Sequence, residues 1–293
     1  MRFYPGSVVA IGSFDGVHLG HRLLIETARS LARTRKKKFG LISFDPIPIR
    51  FFNPDFPVLI TTKKEKERVL KEIGIGFIHY FNFDHNFARL DAEEFLMLIR
   101  DRIKPNMVVV GANHRFGKDR RGDVRLIRRC FNEVIVVDPL AIEGSVVSST
   151  AVRENLVMGR INRARMLLGR PYQISGRIEP GEQKGRGIGF PTINLGGINP
   201  DKVLPMEGVY LVRVKLKEKT YFGAMCLGEV RSIKHEHSIE IHLINYGGDA
   251  YGKAVVVDFL IRLRGLRHFR NRRSLRARIR KDIELCKLLI DRI

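Results

Sequence analysis

Apolar residues in the first half of the chain fall into short, nearly unbroken runs, with stretches of three-to-four spacing between them. The runs predict strands at residues 7–11, 40–44, 77–81, 107–111 and 134–137. Three of these are nearly continuous in apolar or β-branched side chains, as in strands covered on both faces. The intervening pattern predicts helices at 20–33, 63–73, 92–102 and 123–131. Strand–helix alternation of this length requires right-handed crossovers, and hence a parallel sheet. Ligands of such sheets bind beyond the carboxyl ends of the strands. Segments 12–21 and 111–117 each follow a strand directly, so both are expected at that edge.

Beyond residue 148 the texture changes. Helical spacing at 150–158 and 161–168 runs into Gly169-Arg170-Pro171, a stop signal. From residue 172 the pattern is rich in β-formers, with strands predicted at 172–178, 208–215, 220–227, 238–244 and 254–264. Several alternate apolar with polar residues, and Gly-rich turns rather than helices join them, which suggests an antiparallel barrel. Residues 274–293 read as a terminal amphipathic helix with Leu275, Ile279, Ile283, Cys286 and Ile290 on one side. The fold expected is therefore α/β plus β. Its parts are a first domain at 1–158, a connecting helix at 159–170 and a second domain at 171–293.

The 293 residues suffice for about two domains with separate cores. No apolar run approaches the ~20 residues that span a bilayer. Cys130, Cys226 and Cys286 fit neither a zinc spacing nor a disulfide framework. With no signal-peptide pattern ahead of the first strand, they point to the cytoplasm. Lys and Arg number 53 against 31 Asp and Glu, a net charge of +22. Either a polyanionic partner or the charged surface of a heat-adapted protein meets that balance. The charge is spread along the chain and Trp is absent, which disfavours a stacking platform for nucleic acid. A basic RNA-binding protein remains the alternative from another class, and oligomeric state is open.

Two segments carry chemistry. In Gly12-Ser13-Phe14-Asp15-Gly16-Val17-His18-Leu19-Gly20-His21, glycines allow close backbone approach, and the helix that follows offers free N–H groups to an anion. His18 and His21 are three apart, so both rings can face one bound group. A satisfied loop pair meets the same pattern. In the second segment, Gly185, Gly187 and Gly189 with Lys184 and Arg186 form a loop whose amides can wrap phosphates, although it is not a P-loop. An ordinary hairpin loop has the same composition. Phe190-Pro191-Thr192-Ile193-Asn194 follows it.

The first segment resembles the loop of the nucleotidylyltransferase superfamily. Its Phe-Asp-Gly-Val-His form looks like that of bacterial bifunctional riboflavin kinase/FAD synthetases. Ser148-Ser149-Thr150-Ala151-Val152-Arg153 resembles the superfamily's second signature, where hydroxyls and an arginine hold the ATP phosphates. On their own residues, Ser149 and Thr150 read as helix N-caps. Gly111-Ala112-Asn113-His114-Arg115-Phe116-Gly117 is similar to a family segment with Asp and Phe at the Asn113 and His114 positions, and His commonly stands at Ile47. Pro191-Thr192-Ile193-Asn194 resembles the Pro-Thr-x-Asn motif of riboflavin kinases. Glu240-Ile241-His242 and Tyr251-Gly252 resemble two further segments, while Cys226-Leu227-Gly228-Glu229-Val230 departs from the usual Asn-x-Gly.

The resemblance implies an enzyme that phosphorylates riboflavin with ATP to give FMN and ADP, then adenylylates FMN to FAD with release of pyrophosphate. It implies Glu240 as catalytic base of the first step, with His18 and His21 acting in the second. Gly12, Phe14, Asp15, Gly16, Gly20, Ser148, Ser149, Thr150 and Arg153 would bind ATP in one domain. Lys184, Gly185, Gly187, Gly189 and Pro191 would do so in the other. Asn113, His242 and Tyr251 would contact flavin, and Thr192 and Asn194 would hold Mg²⁺. A nucleotidylyltransferase for another phosphorylated acceptor would explain the first half but leave the Pro-Thr-Ile-Asn loop and Glu240 without a task.

Overall fold

The computed structural model describes residues 4–180, 187, 189–229 and 237–292. Lys184, Gly185 and Val230 lie outside the described residues. The chain divides into two compact units, Met1–Val152 and Arg153–Ile293.

The first unit is a parallel sheet flanked by helices. Its strands are β1 (Val8–Ile11), β2 (Phe39–Asp45), β3 (Phe77–Asn82), β4 (Met107–Gly111) and β5 (Glu133–Val137). The helices are α1 (Leu19–Thr34), α2 (Pro48–Phe52), α3 (Lys63–Glu72), α4 (His85–Arg89), α5 (Ala92–Ile103) and α6 (Val124–Cys130). Strand order is β3-β2-β1-β4-β5, all parallel. The inner strands are β2, β1 and β4, while the continuous apolar run at 134–137 forms an edge strand, half-buried along its length. Side chains of the inner strands alternate between two cores, because successive residues of a strand point to opposite faces. Val9, Ile11, Ile42, Val108 and Val110 pack towards α5 and α6. Val8, Ala10, Leu41, Met107 and Val109 pack towards α1 and α3. A short hairpin, β6 (Ala141–Ile142) with β7 (Ser145–Val146), precedes α7 (Ser149–Val157). The division between the units falls inside α7.

The second unit begins with α8 (Ile161–Leu168), which ends on Gly169 at φ 67°, as the stop signal predicts. Its strands are β8 (Tyr172–Glu179), β9 (Ile193–Gly196), β10 (Gly208–Leu216), β11 (Lys219–Glu229), β12 (His237–Leu243) and β13 (Ala254–Arg264), followed by α9 (Arg272–Ile290). They close an antiparallel barrel in the order β10-β11-β12-β9-β8-β13. The pattern predicts five of these strands. β9 is the sixth: four residues at the end of the Pro-Thr-Ile-Asn segment, too short for alternation to register, yet needed to bridge β12 and β8.

Two buried carboxylates brace this unit. Asp258, fully buried, accepts from Arg213 at 2.6 and 2.8 Å and from Gln173 at 2.5 Å. Asp282 on α9, 3% exposed, accepts from Arg264 of β13 at 2.7 to 3.1 Å and from Arg278 at 3.1 Å. Four residues of the apolar stripe of α9, Ile279, Ile283, Cys286 and Ile290, pack on the barrel against Leu211, Leu260 and their neighbours, while Leu275, one turn earlier, is half-buried outside that cluster.

Candidate active sites

In the first unit the chain leaves β1 at Ile11, turns through the glycine loop and enters α1. His18 is the N-cap: its Nδ1 accepts from the His21 N–H at 3.2 Å. The two imidazoles stack with centroids 3.6 Å apart and planes 18° apart, and the Phe14 ring meets His21 edge-on at 5.3 Å. The pair thus converges at the positive end of a helix, where an anion is favoured.

Other residues of the loop face elsewhere. Asp15 is 2% exposed, and its carboxylate accepts from the Ile60 N–H, the Thr61 N–H at 2.9 Å and the Thr61 hydroxyl at 3.1 Å. Thr61 Oγ1 in turn accepts from the Gly16 N–H at 2.9 Å. Gly16 sits at φ 79°, and a Cβ there would lie 3.0 Å from Ile60. Asp15 and Gly16 are therefore fastened to segment 60–61, while Gly12, Phe14, His18, Gly20 and His21 line the adjoining pocket.

The second signature meets the first across the sheet edge. Ser149 Oγ donates to the Asp15 carbonyl at 3.0 Å. Ser148 Oγ accepts from the Ala151 N–H at 3.1 Å, so Ser148, rather than Ser149 or Thr150, caps α7. The hydroxyl one residue earlier is the one placed to reach the third amide of the helix. Ser148 and Ser149 line the pocket, and Thr150 is exposed. Arg153, half-buried on α7, is the first residue of the second unit.

The pocket, about 1070 Å³, opens beyond the carboxyl ends of β1, β4 and β5. One wall is aromatic: Phe44, Phe52, Phe83, Phe87, Phe95 and Phe116. The motif reading misses this wall because its rings come from four separate elements and two loops. Its only trace in the sequence is the density of Phe between residues 39 and 95. Asn113 and His114 both line the pocket. His114 stacks beside Phe116 at 5.6 Å, and its Nε2 is shielded with no hydrogen-bond partner among the described residues. Burial, helped by Arg120 and Arg115, pushes His114 down to about 4.

In the barrel, pairing of β12 with β9 sets Glu240 directly opposite Asn194, and pairing with β11 sets it opposite Cys226. Residues directly opposite share a face of the sheet. Thr192 Oγ1 donates to Glu240 Oε2 at 3.3 Å. His242, two residues on and hence on the same face, has Nδ1 2.8 Å from the Pro191 carbonyl oxygen, with Phe190 edge-on to its ring. Pro191, Thr192, Asn194, Glu240 and His242 thus form one cluster. Gly187 and Gly189 are exposed, and Gly189 adopts φ 82°. Tyr251 stands in the turn between β12 and β13, 43% exposed. Among the described residues no group of three or more His, Cys, Asp or Glu side chains could by itself hold a metal ion.

A family model described as FAD synthetase matches residues 2–151, and one described as riboflavin kinase matches residues 168–290. A bifunctional riboflavin kinase/FMN adenylyltransferase of Escherichia coli (strain K12) is 36% identical over 287 residues, covering 94% of this chain and 90% of that protein. The protein of the same description from Bacillus subtilis (strain 168) is 30% identical over 285 residues, with the same two coverages, 94% and 90%. A crystal structure described as a macrolide-efflux protein from Streptococcus pneumoniae has a TM-score of 0.89 at 30% identity, covering 97% of this chain and 94% of that one. Among the described residues no helix is long and apolar enough to cross a membrane. Both halves match in order and the relatives are spanned nearly end to end, so the chain belongs to the bifunctional riboflavin kinase/FMN adenylyltransferase family.

Proposed function

We propose that the barrel phosphorylates riboflavin with ATP, giving FMN and ADP, and that the parallel-sheet unit transfers AMP from a second ATP to FMN, giving FAD and pyrophosphate. The observation that carries this reading is that each unit assembles its own set of reactive side chains from segments far apart in the chain: Thr192 with Glu240, and the His18–His21 pair with Ser149. The cytoplasm, where ATP and riboflavin are available, is the proposed location.

In the barrel, the reacting alcohol of riboflavin is neutral, so its attack on the γ-phosphate benefits from a base. Glu240 is the proposed acceptor of that proton, oriented by Thr192. His242, held at the Pro191 carbonyl, and Tyr251 are proposed flavin contacts. Thr192 and Asn194 present neutral oxygens beside Glu240, a donor set that suits Mg²⁺, which takes one or two protein groups and completes its shell with phosphate and water. The ion would supply charge screening for the transferred phosphoryl group.

In the first unit the nucleophile is already charged. The second pKa of a phosphomonoester is about 6, so the FMN phosphate is anionic at neutral pH and no base is required. The imidazole pair and the amides at the start of α1 are proposed to stabilise charge that accumulates on the α-phosphate. Asn113 and the phenylalanine wall would receive the flavin ring, whose planar apolar faces match that surface.

Incubation of the purified protein with riboflavin, ATP and Mg²⁺, with flavins resolved by chromatography over time, tests both steps. FMN should appear first and FAD after it, and omission of Mg²⁺ should stop FMN formation. Glu240→Gln should abolish FMN formation while supplied FMN is still converted to FAD, and His18→Ala or His21→Ala should do the reverse. Riboflavin recovered unchanged from the wild-type reaction would overturn the assignment.

A further inference from the structure

Beneath the glycine loop lies a lysine that no motif points to. Lys66 sits on α3 and is 4% exposed. Its Nζ donates to the Ser13 carbonyl oxygen at 3.2 Å and to Ser43 Oγ at 3.2 Å, and Ser43 Oγ also donates to the Ser13 carbonyl at 3.3 Å. Asp15, Asp45 and Glu67 oppose the cost of burying this ammonium and Lys63 adds to it, with Tyr80 facing it 5.1 Å away. Burial lowers Lys66 to about 8, so the group is mostly charged at neutral pH.

Two donors therefore hold one carbonyl of the loop inward. The Ser13–Phe14 peptide is trans and planar, so its C=O and N–H point in opposite directions. With the Ser13 oxygen drawn towards Lys66, the Phe14 N–H is directed to the other side, where Ser13, Phe14 and His21 line the pocket. Among the described residues that N–H has no hydrogen-bond partner. A cation on the carbonyl oxygen also polarises the peptide and strengthens its N–H as a donor.

We infer that Lys66 is a positioning residue for adenylyl transfer: by anchoring the Ser13 carbonyl it aims the Phe14 amide at the triphosphate of bound ATP. This rests on the adenylyltransferase reading of the first unit. An amide fixed in this way adds a donor to those of the helix terminus and the histidines, without a reorganisation cost when charge builds up.

The test compares wild type, Lys66→Met and Ser43→Ala in the full chain, with FMN and ATP varied and FAD measured. Riboflavin phosphorylation in the same preparations and the thermal unfolding of each variant serve as controls. Removal of one preorganised donor costs about 100- to 1000-fold in kcat, so loss of its aim in Lys66→Met should lower the kcat for FAD by about tenfold or more. Ser43→Ala should show a smaller drop, and KM for ATP should change by less than about threefold in both. If Lys66→Met leaves the first unit unfolded, Ser43→Ala decides alone. Wild-type kcat in the folded variants, or losses that track only the folded fraction, would overturn the inference. Failure of the wild type to make FAD would instead remove the adenylyltransferase reading itself.

Discussion

Asp15 lies inside the glycine loop, where the family resemblance implies contact with ATP, but its carboxylate is spent on segment 60–61. Asp15→Ala separates the two roles. The substitution removes the acceptor of two buried backbone amides, Ile60 and Thr61, and of the Thr61 hydroxyl, which still has the Gly16 N–H as a donor to it. A buried donor left without a partner costs about 1–3 kcal/mol, so the two amides together set an expected loss of about 2–6 kcal/mol. For a unit of this size each kcal/mol moves the midpoint by about 2–4 °C, giving a fall of about 4–24 °C. The assay is thermal inactivation of FAD formation from supplied FMN, with FMN formation from riboflavin in the same tube reporting the second unit. The first activity should be lost at the lower temperature and the second at the wild-type temperature. At low temperature the surviving variant should keep its KM for ATP within a few-fold. Unchanged thermal inactivation with a strongly raised KM for ATP would refute the fastening role and return Asp15 to the nucleotide.

Three further outcomes are expected. Asp282→Ala leaves the Arg264 guanidinium, 13% exposed, without its counter-ion, and should destabilise the second unit by about 3–5 kcal/mol in urea unfolding monitored by riboflavin phosphorylation. His114 is held neutral well below its ordinary value, so the unfolded chain binds a proton more readily between pH 6.5 and about 4. Its contribution is complete above pH 6.5 and is lost as pH falls towards 4, a total of up to about 3 kcal/mol. His114→Phe should flatten the acid limb of the first unit's stability curve over that window. Gly20→Ala would bring a Cβ to 3.2 Å from the His18 ring and the Val147 carbonyl oxygen. It should lower the rate of FAD formation and leave riboflavin phosphorylation unchanged.

The elements were legible in the sequence because side-chain direction repeats along a regular backbone, every second residue in a strand and every three to four in a helix. All five apolar runs of the first half are strands of the parallel sheet, and the stripe through Ile279, Ile283, Cys286 and Ile290 packs α9 on the barrel. The histidine pair was legible for the same reason, since a three-residue spacing at a helix start stacks two side chains. Which strands lie inside the sheet was not legible: the continuous run at 134–137 is an edge. Loops carry no such period. Inside one decapeptide His18 faces the pocket and Asp15 the interior, a difference set by local dihedrals such as φ 51° at Phe14 and by partners 45 residues away. Tertiary structure alone decided which strand closes the barrel and which phenylalanines gather beside the nucleotide loop. It also decided that Lys66, Asp258 and Asp282 are buried with partners rather than solvated. A charged residue is burial-competent only when opposite groups arrive from distant segments, and that arrival is a property of the closed fold, which no local window of the chain contains.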